Sequence, residues 1–353
     1  MPNAKNLKFL KDLVSAPSPS GFEAPAQKVV REYLKHYADK ISGDNNGNLI
    51  ALKKGTGKMK VMVVGHADEI GLIVNHIDEQ GYLYVKSLGG FDVNLLPGLR
   101  LDIYHAGKIV RGIIGKKPIH MMRGDDNNSK PKMEDLWIDI GAKDKKDAQK
   151  KVSIGDIITY HSKFEQLSDD LIVSKATDNK VGVYIAAAVM QQLANKEIFP
   201  DYYAVSSVGE ETTMRGARTS AWQIEPDIAI AVDVTFTSDI PGADKRKYGD
   251  VSLGKGPTLS IGAAMHPAIH EKLLAIARKN RIPYQLEIAP GRTGTDADAI
   301  HDLKRGAAMA VVGIPNRYMH SPNEVISLKD LDSAVKLISA FILSLDGKLK
   351  LGR

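Results

Sequence analysis

The sequence predicts an α/β fold, an α/β/α sandwich around a mostly parallel central sheet, with a small β-barrel-like module inserted into it. Three observations lead there. Strand-like and helix-like segments alternate through residues 1–69 and again through 168–353, the pattern of a parallel sheet covered on both faces. Between them, residues 70–167 carry only short alternating segments with glycine turns and no long helix. The chain has 353 residues, beyond the size one core usually serves, so a large domain and a smaller one are expected. The large domain is then discontinuous, 1–69 with 168–353, and 70–167 is the insertion.

In chain order, residues 5–14 and 24–38 are amphipathic helices. They are separated by Ala16-Pro17-Ser18-Pro19-Ser20-Gly21, a turn cluster. Asn45–Lys53 is a strand entered through Asn-Gly, and Lys60–Val64 is a buried-type strand that ends at Gly65-His66. The insertion holds the segments Gly71–His76, Tyr82–Lys86, Arg100–Tyr104, Lys108–Ile114, Leu136–Ile140 and Asp156–Tyr160. After Leu171–Ser174 come a helix (Asn179–Ala194), a strand (Tyr202–Ser207), a helix (Met214–Trp222) and a strand (Asp227–Asp233). The chain closes with a helix (His266–Asn280), strands Pro283–Glu287 and Ala307–Gly313, and the helix Leu328–Leu345.

Composition narrows the function classes. Hydrophobic residues are 43% and charged residues 25%, as in an ordinary globular protein. The net charge of +6 is scattered, and the runs Lys143–Lys151 and Lys348–Arg353 have no interleaved aromatics, so nucleic acid is not expected as a partner. There is no cysteine, which excludes disulfides, thiolate catalysis and Cys-ligated zinc. Met1–Leu13 lacks the apolar stretch of a signal peptide, and the apolar runs, such as Ile228–Val232 and Ala307–Val312, are too short to span a bilayer. No membrane partner and a cytoplasmic location are expected.

Chemistry gathers where strands end. Ligands of open α/β sheets bind beyond the carboxyl ends of the strands. There the sequence places His66-Ala67-Asp68-Glu69, Gly209-Glu210-Glu211, Asp233 and Arg317-Tyr318-Met319-His320, with Asp178 just before a helix. Singly, each has a plain structural reading: a hydrogen-bonded histidine, an acidic helix start, an N-cap. Asp233, at the end of an Ala/Ile/Val run, would be partly buried and would need a partner. Jointly, two histidines and three carboxylates suit two divalent ions, Zn²⁺ or Co²⁺ and also Mn²⁺. One of Glu210 and Glu211 is then available as a general base for a metal-activated water.

The segments His66-Ala67-Asp68-Glu69-Ile70-Gly71, Ser174-Lys175-Ala176-Thr177-Asp178-Asn179, Gly209-Glu210-Glu211, Ala231-Val232-Asp233-Val234-Thr235 and Arg317-Tyr318-Met319-His320-Ser321-Pro322 follow one another in an order that resembles the M42 metallo-aminopeptidases, of the glutamyl and tetrahedral (TET) type. Gly89-Gly90-Phe91-Asp92 and Gly294-Thr295-Asp296-Ala297 are similar to family segments as well, and the likeness spans almost the whole chain. The resemblance implies a metallopeptidase-type sandwich in which Asp178 bridges two ions. It implies that His66 and Asp233 complete one site, Glu211 and His320 the other, with Glu210 as general base and Asp68 orienting His66. It also implies a cis peptide after Asp178, short peptides as substrates, and an inserted module that pairs subunits into dimers, which close into a tetrahedral dodecamer. Two departures concern the pocket's shape: Gly209 stands where relatives often carry Gln, and Thr212-Thr213-Met214 replaces a commoner Val-Gly-Leu.

Other residues get blander readings. His266 and His270, at i and i+4, lack the following Glu of a zinc motif and are expected on the surface. His120 has no assigned role. Gly291-Arg292-Thr293-Gly294-Thr295 lacks the ending of a phosphate loop; by resemblance it flanks the active site, so Gly294, Thr295 and Asp296 are candidate substrate-binding residues. Two rival functions stay open: a glycoside hydrolase, needing only two carboxylates, and a non-catalytic assembly protein that retains the fold.

Overall fold

The structure, a computed structural model, describes residues 1–122 and 130–352; Arg353, the end of the basic run from Lys348, lies outside them. The chain begins with helices α1 (Ala4–Ser15) and α2 (Ala24–Leu34), then strands β1 (Lys40–Gly43), β2 (Leu49–Lys53) and β3 (Lys60–His66). Next come β4 (Gly71–Ile77), β5 (Leu83–Leu88), β6 (Arg100–His105), β7 (Lys108–Gly115), β8 (Trp137–Asp139), the short helix α3 (Lys145–Gln149) and β9 (Ile157–Tyr160). The remainder runs β10 (Glu165–Gln166), β11 (Leu171–Ser174), α4 (Thr177–Leu193), β12 (Asp201–Ser207), α5 (Glu210–Thr213), α6 (Arg215–Ile224), β13 (Ile228–Phe236) and α7 (Lys245–Tyr248). It ends with β14 (Thr258–Gly262), α8 (Pro267–Asn280), β15 (Gln285–Ala289), α9 (Ala297–Ile300), β16 (Ala308–Arg317), β17 (Glu324–Ser327) and α10 (Leu328–Leu343).

Among the described residues the large sheet is ordered β1-β2-β12-β3-β13-β16-β17-β11-β10, with β14 and β15 branching from β16. Its centre, β12-β3-β13-β16, is parallel, and antiparallel strands flank it. The central sequences explain this. Strands buried on both faces read as continuous apolar runs. In β3, Val61 and Val63 join the core under α1, α2, α4 and α10, whereas Met62 and Val64 join the smaller core under α6 and α9. β13 divides in the same way, with Ile228, Ile230 and Val232 on one side and Ala229 and Ala231 on the other. The sandwich is therefore helix, sheet, helix.

β4 to β9 close on themselves as a six-stranded barrel, ordered β4-β5-β8-β7-β6-β9, around its own core of Leu72, Val74, Leu83, Leu101, Ile103, Ile138 and Ile158. It carries no helix longer than α3 among the described residues.

Several expectations need correction. β13 and β16 run on to Phe236 and Arg317, so Asp233 lies within a strand and not at its end. The second helix stops at Leu34. The strands β1, β14 and β17 carry too few apolar residues, next to Gly, Pro or Asn turns, for the pattern to show them. His266 is not on the surface. It is buried ahead of α8, with Nε2 3.1 Å from the Leu351 carbonyl, while His270 is half-buried on the helix, so the pair forms no site. His120 is exposed in the barrel. No helix among the described residues is long and apolar enough to cross a membrane.

Candidate metal centre

The parallel strands end together, and that brings the candidate residues to one place. His66 is the last residue of β3 and is buried. Gly65 before it packs on Gly182 of α4; a Cβ on Gly65 would sit 2.4 Å from the Gly182 carbonyl carbon. Only this close approach lets the start of α4 reach the end of β3. There the chain departs from helical geometry at Asp178 and Asn179, and the Asp178–Asn179 peptide bond is cis. The Asn179 side chain anchors the kink, donating to the Val232 carbonyl at 2.7 Å and accepting from the Gly182 N–H at 3.0 Å.

Asp178 then faces two imidazoles at once. Its Oδ1 lies 3.3 Å from His66 Nε2, and its Oδ2 lies 3.2 Å from His320 Nε2. His66 Nε2 is 3.9 Å from Asp233 Oδ1, and His320 Nε2 is 3.4 Å from Glu211 Oε2. Two triads, His66–Asp178–Asp233 and Asp178–Glu211–His320, each have their ligand-type atoms within 4.8 Å of one another, and Asp178 belongs to both. Glu210 joins the cluster with Oε2 3.6 Å from His66 Nε2, but it belongs to neither triad.

Asp68 is buried behind His66. The His66 Nδ1 lies 3.1 Å from the Asp68 backbone carbonyl and 3.5 Å from its carboxylate. That carboxylate accepts from Ser20 Oγ at 2.6 Å and from the backbone N–H groups of Glu210 and Glu211 at 3.1 and 3.2 Å. Asp68 thus holds the acidic turn as well as the imidazole. Gly209 enters that turn at φ +67°, and the Arg215 guanidinium fills the space a side chain would take.

The electrostatics ask for cations. Burial pushes Glu211 and Asp233 well above the usual carboxylate range and Glu210 up to about 8, each aided by neighbouring carboxylates. Burial would raise Asp178 too, but the imidazoles of His320 and His66 outweigh it and hold that carboxyl low. Burial opposes protonation of His66, yet Glu210, Asp178 and Asp68 together raise it well above its ordinary value. One oxygen of Glu211 is buried without a hydrogen-bond partner. Four buried carboxylates with two imidazoles as their nearby cationic partners are costly unless divalent ions neutralise them. The donor set fits such ions: imidazole and carboxylate suit Zn²⁺, Co²⁺ and Mn²⁺.

A cleft of about 640 Å³ opens over this cluster, within the roughly 300–1,000 Å³ range of small-molecule sites. Gly294 and Thr295 line it. Asp296 does not; it is buried behind the site, hydrogen-bonded to Ser207 Oγ and pushed up to about 6 by burial. From the barrel, Gly90 approaches His320, whose Nδ1 is 3.6 Å from where a Cβ would stand. Glu324, which the sequence reading passed over, accepts from the backbone N–H of both Asp178 and His320, each at 2.9 Å. Glu324 is the first residue of β17, a strand too short and too polar for the sequence pattern to show.

A family model described as M42 glutamyl aminopeptidase matches residues 47–337. The lysyl aminopeptidase of Pyrococcus furiosus is 35% identical over 338 residues, 95% of this chain and 96% of its own length. The TET aminopeptidase of the marine sediment archaeon Thaumarchaeota archaeon SCGC AB-539-E09 superposes with a TM-score of 0.94 at 32% identity, covering 98% of both chains. The TET1 peptidase of Pyrococcus horikoshii, described as assembling into a tetrahedron or a large octahedral shell, does so with a TM-score of 0.86 at 29% identity, covering 96% of this chain and 100% of its own.

Proposed function

The chain belongs to the M42 peptidase family, and on that premise we propose that it removes the N-terminal residue from short peptides with two divalent ions held by His66, Asp178, Glu211, Asp233 and His320. The observation that carries the reading is Asp178, whose two oxygens each face a different imidazole within 3.3 Å. A glycoside hydrolase would use two carboxylates across a sugar bond and has no need of two imidazoles around a shared one.

Two ions bound there would polarise the scissile carbonyl and lower the pKa of the attacking water. The protein's own groups do the rest. Glu210, in the cluster but outside both triads, takes the water proton and returns it to the leaving amine as the C–N bond breaks. Asp68 holds Glu210 and Glu211 by their backbone N–H groups and keeps His66 in place. The substrate's free α-amino group meets the remaining carboxylate surface, which restricts cleavage to N-termini. The oligomer is a homo-oligomer by the same reading. The barrel exposes Ile109, Ile113, Ile119 and Met121, an apolar surface that pairing subunits would cover, and dimers would close into a tetrahedral twelve-subunit shell.

The experiment is chelation. Stripped enzyme is expected to lose hydrolysis of aminoacyl chromogenic substrates and regain it with Zn²⁺, Co²⁺ or Mn²⁺. Hydrolysis that persists in chelator would refute the reading.

A further inference from the structure

The wall of the cleft beyond the five ligand candidates carries a carboxylate that the mechanism does not use. β14 and β15 pair in parallel, with Ser260 opposite Glu287 and Gly262 opposite Ala289. Along β15, side chains alternate between faces: Leu286 and Ile288 point out to solvent, and Glu287 and Ala289 line the cleft. Glu287 is half-buried, and both of its oxygens are fixed by hydroxyls: Thr235 Oγ1 donates to Oε1, and Thr258 Oγ1 donates to Oε2 at 2.8 Å.

Its place relative to the reaction centre follows from register. Gly313 is the β16 partner of Asp233, and a Cβ on Gly313 would stand 3.2 Å from Glu287 Oε2. Thr235, which holds the carboxylate, is two residues beyond Asp233 on the same strand, a step of about 7 Å. Glycine at 313 leaves the path between the two carboxylates open; any side chain there would also run into Thr258 Oγ1, at 2.3 Å.

Its charge is not met from within. Among the described residues Glu287 forms no ion pair. Arg292, the one Lys or Arg among the described residues lining the cleft, is 84% exposed and turns to Asp298 at 3.5 Å. Divalent ions held by Asp178, Glu211, Asp233 and the two histidines would neutralise those ligands, but Glu287 belongs to neither triad and would keep its charge facing the cleft.

We infer that Glu287 is the specificity-determining residue for the substrate's first side chain and selects lysine or arginine. The inference rests on the aminopeptidase reading and names its substrate class. Lysine carries its ammonium on a flexible four-carbon stem and arginine a longer guanidinium fork; either reaches from the scissile residue across Gly313 to a carboxylate already held by two hydroxyls. The charge-assisted hydrogen bonds that form are the strong kind. A leucine in the same place would cover Glu287 and leave it unpaired, which counts against apolar side chains.

The test is kcat/KM on lysyl, arginyl, leucyl and glutamyl p-nitroanilides with the metal-loaded enzyme and its E287Q and E287D variants. Wild type is expected to favour lysyl and arginyl over leucyl by about 10–100-fold, the worth of one hydrogen bond to a charged group. E287Q keeps the shape and the hydroxyl partners, and its lysyl-to-leucyl ratio is expected to fall by about the same factor. E287D keeps the charge and is expected to keep the preference for cations. A wild type that cleaves leucyl as well as lysyl substrate, or an E287Q variant that loses both in proportion, overturns the inference and leaves the peptidase reading standing. Release of no residue from any of the four overturns both.

Discussion

Asp178 presents one oxygen to each imidazole, and Glu210 stands beside the pair without belonging to either triad. In the proposed mechanism that difference separates ligand from base. Replacing Glu210 with Gln keeps size and hydrogen bonding and removes only proton transfer, so turnover is expected to fall by about 10²–10⁴-fold with metal content unchanged. Atomic emission and single-turnover rates measure the two; loss of metal in E210Q, with metal retained in Glu211→Gln, would reverse the roles. Most of these residues were legible because they stand where a strand or helix begins or ends, although Asp233 lies inside β13. Glu324 and Glu287 were not. Apart from His320, four residues before Glu324, their partners come from segments far off in the chain: Thr177 and Asp178 for one, Thr235 and Thr258 for the other. Asp296 failed in the opposite sense: its place in a Gly-Thr-Asp segment pointed to the cleft, but its side chain turns inward to Ser207.

At the scale of elements, the exit of β3 is tied to the start of α4 by a buried ion cluster. Glu69 accepts from Lys175 at 2.5 Å and Lys180 at 2.9 Å, and Lys180 also donates to the Ala16 carbonyl at 2.6 Å. Burial would raise Glu69, but the two ammonium groups outweigh it and hold its carboxyl below the ordinary 4.5. Burial pushes Lys180 down to about 8. Removing the shared anion leaves two buried lysines unpaired, so Glu69→Gln is expected to cost about 3–5 kcal/mol near pH 7. A carboxyl whose folded value is depressed contributes stability above its unfolded value and loses it as pH falls through the folded one. The gap between wild type and E69Q should therefore be full at neutral pH and close below pH 4.5. Urea melts across that range measure it; a gap independent of pH would contradict the assignment. The sequence marked the alternation of strands and helices but not this clamp, because His66-Ala67-Asp68-Glu69 reads as one acidic run, and nothing local separates Glu69, which faces lysines, from Asp68, which faces His66. Buried strands were plain from their Val/Ile/Ala runs. The ends of β13 and β16 were not, because Asp233 and Pro315 look like strand breakers until neighbouring strands cover them.

For the whole molecule, the barrel and the sandwich meet at the centre through Gly89 and Gly90, which approach Glu211 and His320, so the proposed pairing module and the proposed catalytic site would share a boundary. Light scattering on metal-replete protein is expected to give a particle far above the 38.4 kDa of one chain, near twelve copies, and a particle of one chain's mass would remove the shell. A dimer would keep the enzyme and lose only the compartment. The insertion was legible as a break in texture between two α/β stretches; its closure into a barrel depends on pairings such as β4 with β9 that no local pattern shows. The central claim, two ions shared through Asp178 and acting at a peptide N-terminus, is tested most directly by titrating Zn²⁺ or Co²⁺ into chelated protein while following release of the first residue from a short peptide. Activity is expected to rise from nothing and level off at two ions per chain. Full activity before any metal is added, or release of internal fragments instead of the first residue, would contradict it.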